Sequence, residues 1–178
     1  MAALALLALA ACGSDGKGGA GGSGAGGAGA GGPEPTVPAG NDGTQVATTE
    51  PGLRAFTRDG LYTSWVHEPA RHASAGPHAT VQIYFNDKYL GARRAGSYPM
   101  PVGAMAVKEI YDDAGKRVGF AVAIKTAAGE GAPTWTWWEA LGDPPASGVY
   151  GIAASVCEGC HKGASARDRS LIETVPGP

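Results

Sequence analysis

Five residues near the C-terminus restrict this chain more than any other feature: Cys157-Glu158-Gly159-Cys160-His161. Cysteines at i and i+3 of a helical turn point to one side. A Cys-x-x-Cys-His run is the attachment signature of a c-type haem. Both thiols can add to the vinyl groups of one porphyrin, and His161 then lies under the ring, where it offers an imidazole nitrogen to the iron. The expected cofactor is one covalent haem, bound by Cys157 and Cys160, with His161 as the axial iron ligand.

Seventeen residues follow the histidine (178 − 161 = 17), ending Pro176-Gly177-Pro178. The small all-helical haem folds carry the motif early and cover the ring with chain that follows. Here the cover has to come from upstream, which excludes that fold. Two other uses of the motif are weaker. A structural zinc site needs a fourth ligand, and His67, His72 and His78 have no ligand spacing to one another. A thioredoxin-like pair follows a strand in a βαβ unit, and none is legible.

The opposite end reads as an address. Ala2 to Ala11 is apolar and runs into Leu9-Ala10-Ala11-Cys12-Gly13, the pattern of an export signal ending in small residues. It resembles a bacterial lipobox, which implies a lipid on Cys12 and residence on the periplasmic side or outer membrane. No Lys or Arg precedes the apolar run, so the natural start is expected upstream. The three cysteines then close as a set: Cys12 takes lipid, Cys157 and Cys160 take haem, and no stray thiol remains outside the cytoplasm.

From Gly13 to about Gly40 the chain is nearly all Gly, Ala and Ser, then Pro. Such a stretch cannot bury enough apolar surface to offset its ordering entropy. The expected organisation is a signal over 1–12, a flexible linker over 13–49 and a haem-binding domain over 50–178. The net charge of −2, with no basic stripe among aromatics, excludes nucleic acid as a partner. A lipid anchor is the expected membrane contact.

Within that domain, Leu53 to His67 reads as a helical turn or two burying Phe56, Tyr62 and Trp65, and Glu68 to Ala79 as a loop. Thr80–Phe85 is β-branched and aromatic, hence a strand. Asn86-Asp87 caps a short helix ending at Gly96. Ala104–Tyr111 and Gly119–Thr126 read as strands joined by a turn at Gly115. In the aromatic run TWTWWEAL, Trp135 and Trp137 share a face and Trp138 takes the other. Ser147 to Cys160 has apolar spacing consistent with a helix. These elements make an α+β fold, mainly antiparallel sheet with a few short helices and a haem-bearing helix or turn at the C-terminus.

The order PVGAMAVKEIY, VGFAVAIKT, TWTWWEA and a terminal CEGCH resembles the cytochrome P-460 and cytochrome c′-beta family, over Thr80 to His161. YFNDKYLGARRAGSYP fits the segment ahead of these strands. The resemblance implies a small antiparallel sheet holding a haem against one face, often five-coordinate and usually dimeric. It also implies one of two outcomes. One is oxidation of hydroxylamine with a lysine-to-haem cross-link and a distal carboxylate. The other is binding of a gas, especially NO, in an apolar pocket.

The family's lysine matches Lys108 in Val107-Lys108-Glu109, and an edge-strand lysine in solvent is the competing reading of it. The carboxylate position falls on Ala121. With that base missing, the expectation is an exported, lipid-anchored cytochrome that binds NO or CO, or carries electrons to a redox partner protein, rather than an enzyme. Conversion of hydroxylamine or a related nitrogen compound is the alternative. Phe85 and Phe120 are expected to crowd the distal face. Met100, Met105, His67, His72 and His78 are candidate sixth ligands, none of them favoured. Trp135, Trp137 and Trp138 are equally haem wall or core.

Overall fold

Apolar residues recurring every second position build the centre of this fold, because successive strand side chains point to opposite faces. They lie on β5 (Thr80–Phe85), β6 (Met105–Tyr111), β7 (Arg117–Lys125) and β8 (Trp135–Leu141). Short strands β3 (Val66–His67), β4 (His72–Ala73) and β9 (Val149–Ile152) complete a seven-stranded sheet in the order β3-β5-β6-β7-β8-β9, with β4 also on β5. Every pairing is antiparallel. The computed structural model describes residues 33–74, 76, 78–146, 148–170, 172 and 175–177. With three short α-helices among the described residues, the fold is α+β and mainly antiparallel, as the sequence predicts.

Helix α1 (Glu50–Arg58) starts at Thr49, whose hydroxyl accepts the Gly52 N–H at 3.2 Å, and Pro51 sits in the first turn, where its missing N–H costs nothing. Helix α2 (Asp87–Ala95) is capped by Asn86 and stopped by Gly96 in the left-handed conformation, φ 61°. Asn86 is buried and uses its whole side-chain amide. Oδ1 accepts from Tyr89 and Met105 N–H, while Nδ2 donates to the Ala39 and Gly103 carbonyls at 2.7 and 2.6 Å. One cap thus ties α2 to the start of β6 and to the chain before α1.

Two expectations are corrected. The folded unit begins ahead of Glu50: β1 (Thr36–Pro38) and β2 (Gln45–Ala47) form a hairpin whose Val37, Ala39 and Val46 are core residues. The linker expected over 13–49 therefore does not extend past the first of these strands. The signal segment, Cys12 and the Gly-rich run lie outside the described residues. The second correction concerns Ser147 to Cys160, which is not one helix. Val149–Ile152 is the outer strand β9, and α3 is confined to Ser155–His161. A short apolar run reads equally as strand or helix. What decides it is the close approach of Gly148 to β8, where a methyl group would meet the Glu139 carbonyl oxygen at 1.8 Å.

One face of the sheet packs under α1 and the β1–β2 hairpin, burying Leu53, Phe56, Tyr62 and Trp65 against Val107, Phe120, Val122 and Trp138. Glu109 lies on this face at 3 % exposure. It accepts hydrogen bonds from Tyr62 at 2.5 Å, Tyr84 at 3.3 Å, Tyr111, and Arg117 at 2.5 Å. Burial pushes its carboxyl up, but the bonds from Tyr111, Tyr62 and Arg117 together outweigh it and hold the pKa below the ordinary value of 4.5.

Glu109→Gln should therefore cost about 3 kcal/mol, the low end for breaking a buried pair, because Arg117 keeps Asp143 at 3.1 Å. The sign with pH follows from the depressed pKa. Glu109's contribution is full above 4.5 and is lost as pH falls through the lower folded value. Urea midpoints of wild type and variant should thus converge in acid. Equal stability at pH 7 would show that the network contributes nothing.

Candidate functional site

The opposite face of the sheet is different ground. Register sets Phe85, Ala106, Ala123 and Trp137 in one cross-strand row and Ile83, Lys108, Ala121 and Glu139 in the next. Three of these eight are alanines on the central strands β6 and β7, so the face is low in the middle and high at its edges. Above it lies a cavity of about 1070 Å³. Its other walls are the stretch from Glu68 to Ser74, with Gly76 and His78, and the C-terminal segment carrying Cys157, Cys160 and His161. A side chain larger than alanine at 106, 121 or 123 would fill this trough. Pockets for small molecules and cofactors span about 300–1,000 Å³. The space is thus of cofactor size, far beyond the needs of a diatomic molecule.

The motif reaches this cavity because β9 ends in a turn at Ala153, φ 51°, that redirects the chain into α3. Cys157 is half-buried, Cys160 exposed, and both are free thiols. Burial pushes the Cys157 thiol up to about 11, with the charge of Glu139 adding to it. A redox-active cysteine pair needs a depressed pKa, so this environment speaks against thiol–disulfide exchange.

His161 Nδ1 lies 2.7 Å from the Arg169 carbonyl oxygen. A carbonyl only accepts, so Nδ1 carries the proton and Nε2 keeps its lone pair. The ring sits 5.5 Å from Trp137, inclined by 50°. Burial lowers the imidazole pKa, the Arg169 hydrogen bond acts against this, and the charge of Lys108 lowers it further. The net depression makes His161 neutral at pH 7, the form that binds metals. Among the described residues no group of three or more His, Cys, Asp or Glu side chains is assembled as a metal chelate. A haem iron makes no such demand, since the macrocycle supplies its equatorial nitrogens and the protein supplies an axial one. Two thiols, one imidazole whose Nδ1 is the protonated nitrogen and a cavity of cofactor size floored largely by alanines fit a covalent haem.

Lys108 lies in this cavity, which corrects the reading of it as an edge lysine in solvent: β6 is flanked by β5 and β7. Burial lowers its pKa, and the charges of Glu139 and Glu68 act against that. Ala121 also lines the cavity. Phe120 does not crowd it, because strand alternation sends its ring to the α1 face, and Phe85 packs on Tyr89 at 5.5 Å. Met105 belongs to the α1 face and Met100 to the core beside α2. His67 is exposed against Tyr84, while His72 and His78 line the cavity.

One further side chain at this site is not among those the sequence singles out. Glu139 lies directly across from Ala121 on the neighbouring strand, lines the cavity, and has an oxygen 3.5 Å from His78 Nδ1. The signal was there: in TWTWWEAL, Glu139 shares the two-residue period of Trp135 and Trp137. No protein-family model matches this chain, and no curated protein matches it either.

Proposed function

We propose that this chain is a mono-haem c-type cytochrome, exported and lipid-anchored through Cys12, whose cavity admits a small neutral ligand such as NO or CO beside the haem. The observation that carries the reading is that both motif thiols and the imidazole of His161 open onto one cavity with an alanine floor. When bound, a haem supplies an iron that exchanges one electron or takes up one diatomic molecule. The chain's own residues do the rest. Cys157 and Cys160 tether, His161 Nε2 ligates, and Ile83, Ala121, Ala123 and Trp137 keep water from the sheet side. The sequence resemblance to the cytochrome P-460 and cytochrome c′-beta family supports an open distal position and a homodimer.

Absorption spectra of the oxidised, reduced and CO- or NO-treated protein test this. The expected result is a c-type haem whose ferrous Soret band changes with either gas. A six-coordinate spectrum unaffected by CO would instead make the protein an electron carrier, and the absence of haem would end the reading. Glu139 favours a second reading, oxidation of hydroxylamine or a similar N–H compound. Proton removal from nitrogen needs a positioned base, and Glu139 brings a carboxylate to the row where Ala121 lacks one.

A further inference from the structure

The segment after the motif is tied to the sheet by buried polar contacts at Asp168. Asp168 and Arg169 are consecutive non-glycine residues with positive φ, 47° and 71°. Such conformations persist only where the surroundings over-determine them. The surroundings here are a buried ion pair: Lys125 on β7 is fully buried, and its ammonium donates to Asp168 Oδ2, to the Gly129 carbonyl at 2.7 Å and to Thr134 Oγ1 at 2.7 Å. All three ammonium protons are used. Asp168 also accepts the Met100 N–H at 2.9 Å and the Gly131 N–H at 3.2 Å.

The next residue, Arg169, meets the motif twice. Its carbonyl accepts from His161 Nδ1, and its guanidinium pairs with Glu158, inside the motif itself, at 3.0 Å. The path from the sheet to the imidazole is therefore Lys125, Asp168, the Arg169 backbone, His161.

We propose that Asp168 is a positioning residue for His161: clamped by Lys125, it aims the Arg169 carbonyl at Nδ1 and so keeps Nε2 turned to the cavity with full donor strength. This rests on His161 being the haem ligand. A hydrogen bond at the far ring nitrogen orients a ligating imidazole and raises its basicity. Loosening it should weaken donation to iron without touching the cavity.

Asp168→Asn keeps the size of the side chain and tolerates positive φ, but removes the charge that holds Lys125. In the haem-loaded protein, the iron–histidine stretch should move to lower frequency and the reduction potential upward. Thr134→Val, which removes one of the three Lys125 acceptors, should shift both the same way by less, and it keeps the test open if Asp168→Asn does not fold. Glu109→Gln, on the opposite sheet face, is the stability control: it should lower the melting temperature and leave both readouts where they are. A fall in melting temperature for the Asp168 and Thr134 variants, with neither readout moving, would overturn the proposal.

If the purified protein carries no haem, the cytochrome reading fails separately. The long-range proton–nitrogen NMR spectrum of His161 then decides. The proton should sit on Nδ1 in wild type and redistribute in Asp168→Asn. A proton on Nε2 in wild type would overturn the proposal without any variant.

Discussion

Replacing Cys157 and Cys160 together by Ala should leave no haem that survives denaturing electrophoresis, whereas each single variant should retain a weakened peroxidase-active band. The reason is additive attachment. On the cytochrome reading each thiol would form one thioether, and the i, i+3 spacing within α3 lets both reach the same cavity. Without either bond, a haem could be held only by His161 and by contact with the cavity walls, and acid acetone would extract it. The doubly substituted chain should also melt lower than wild type, because anything bound to the folded state alone stabilises it by mass action. Haem extracted intact from wild type by acid acetone would contradict both the covalent attachment and the use assigned to the motif.

On the second reading of the site, hydroxylamine oxidation by the wild type should fall on the order of 10²–10⁴-fold in Glu139→Gln, the range typical of a lost general base, while CO uptake stays unchanged. A neutral diatomic needs no proton removed, so the two measurements separate the readings of the site. If wild-type turnover is already at background and Glu139→Gln alters nothing, the cavity binds gas and Glu139 is a wall residue paired with His78. Turnover that persists undiminished in Glu139→Gln would place the base elsewhere. Ala121→Glu is a poor way to add a carboxylate here, because Ala121 and Glu139 are direct cross-strand partners. Two like charges so placed repel, and one of the pair would hold its proton well above the usual carboxylate range.

Much of the fold was legible because the deciding signals are local. Asn86 and Gly96 bracket α2 by cap chemistry that needs no knowledge of the rest of the chain. Gly115, at φ 78°, marks the turn between β6 and β7 for the same reason. The expected split of Trp135 and Trp137 from Trp138 matches their places on opposite faces of the sheet. The motif was legible because both cysteines and the histidine fall within five residues.

What the sequence alone determined about this protein, then, is its four long central strands, the caps of α2 and the run that carries Cys157, Cys160 and His161. The tertiary structure decided whatever depends on which strand lies beside which. Residues 36–47 look like more linker until their valines meet α1, and Val149–Ile152 looks helical until Gly148 lets it close on β8. Lys108 could be a solvent lysine until β5 and β7 flank its strand. Glu139 could be any surface glutamate until register sets it across from Ala121 and into the cavity. Short-range chemistry is written into neighbouring residues, whereas pairing register and burial arise between segments far apart in the chain, where only the assembled sheet brings them together.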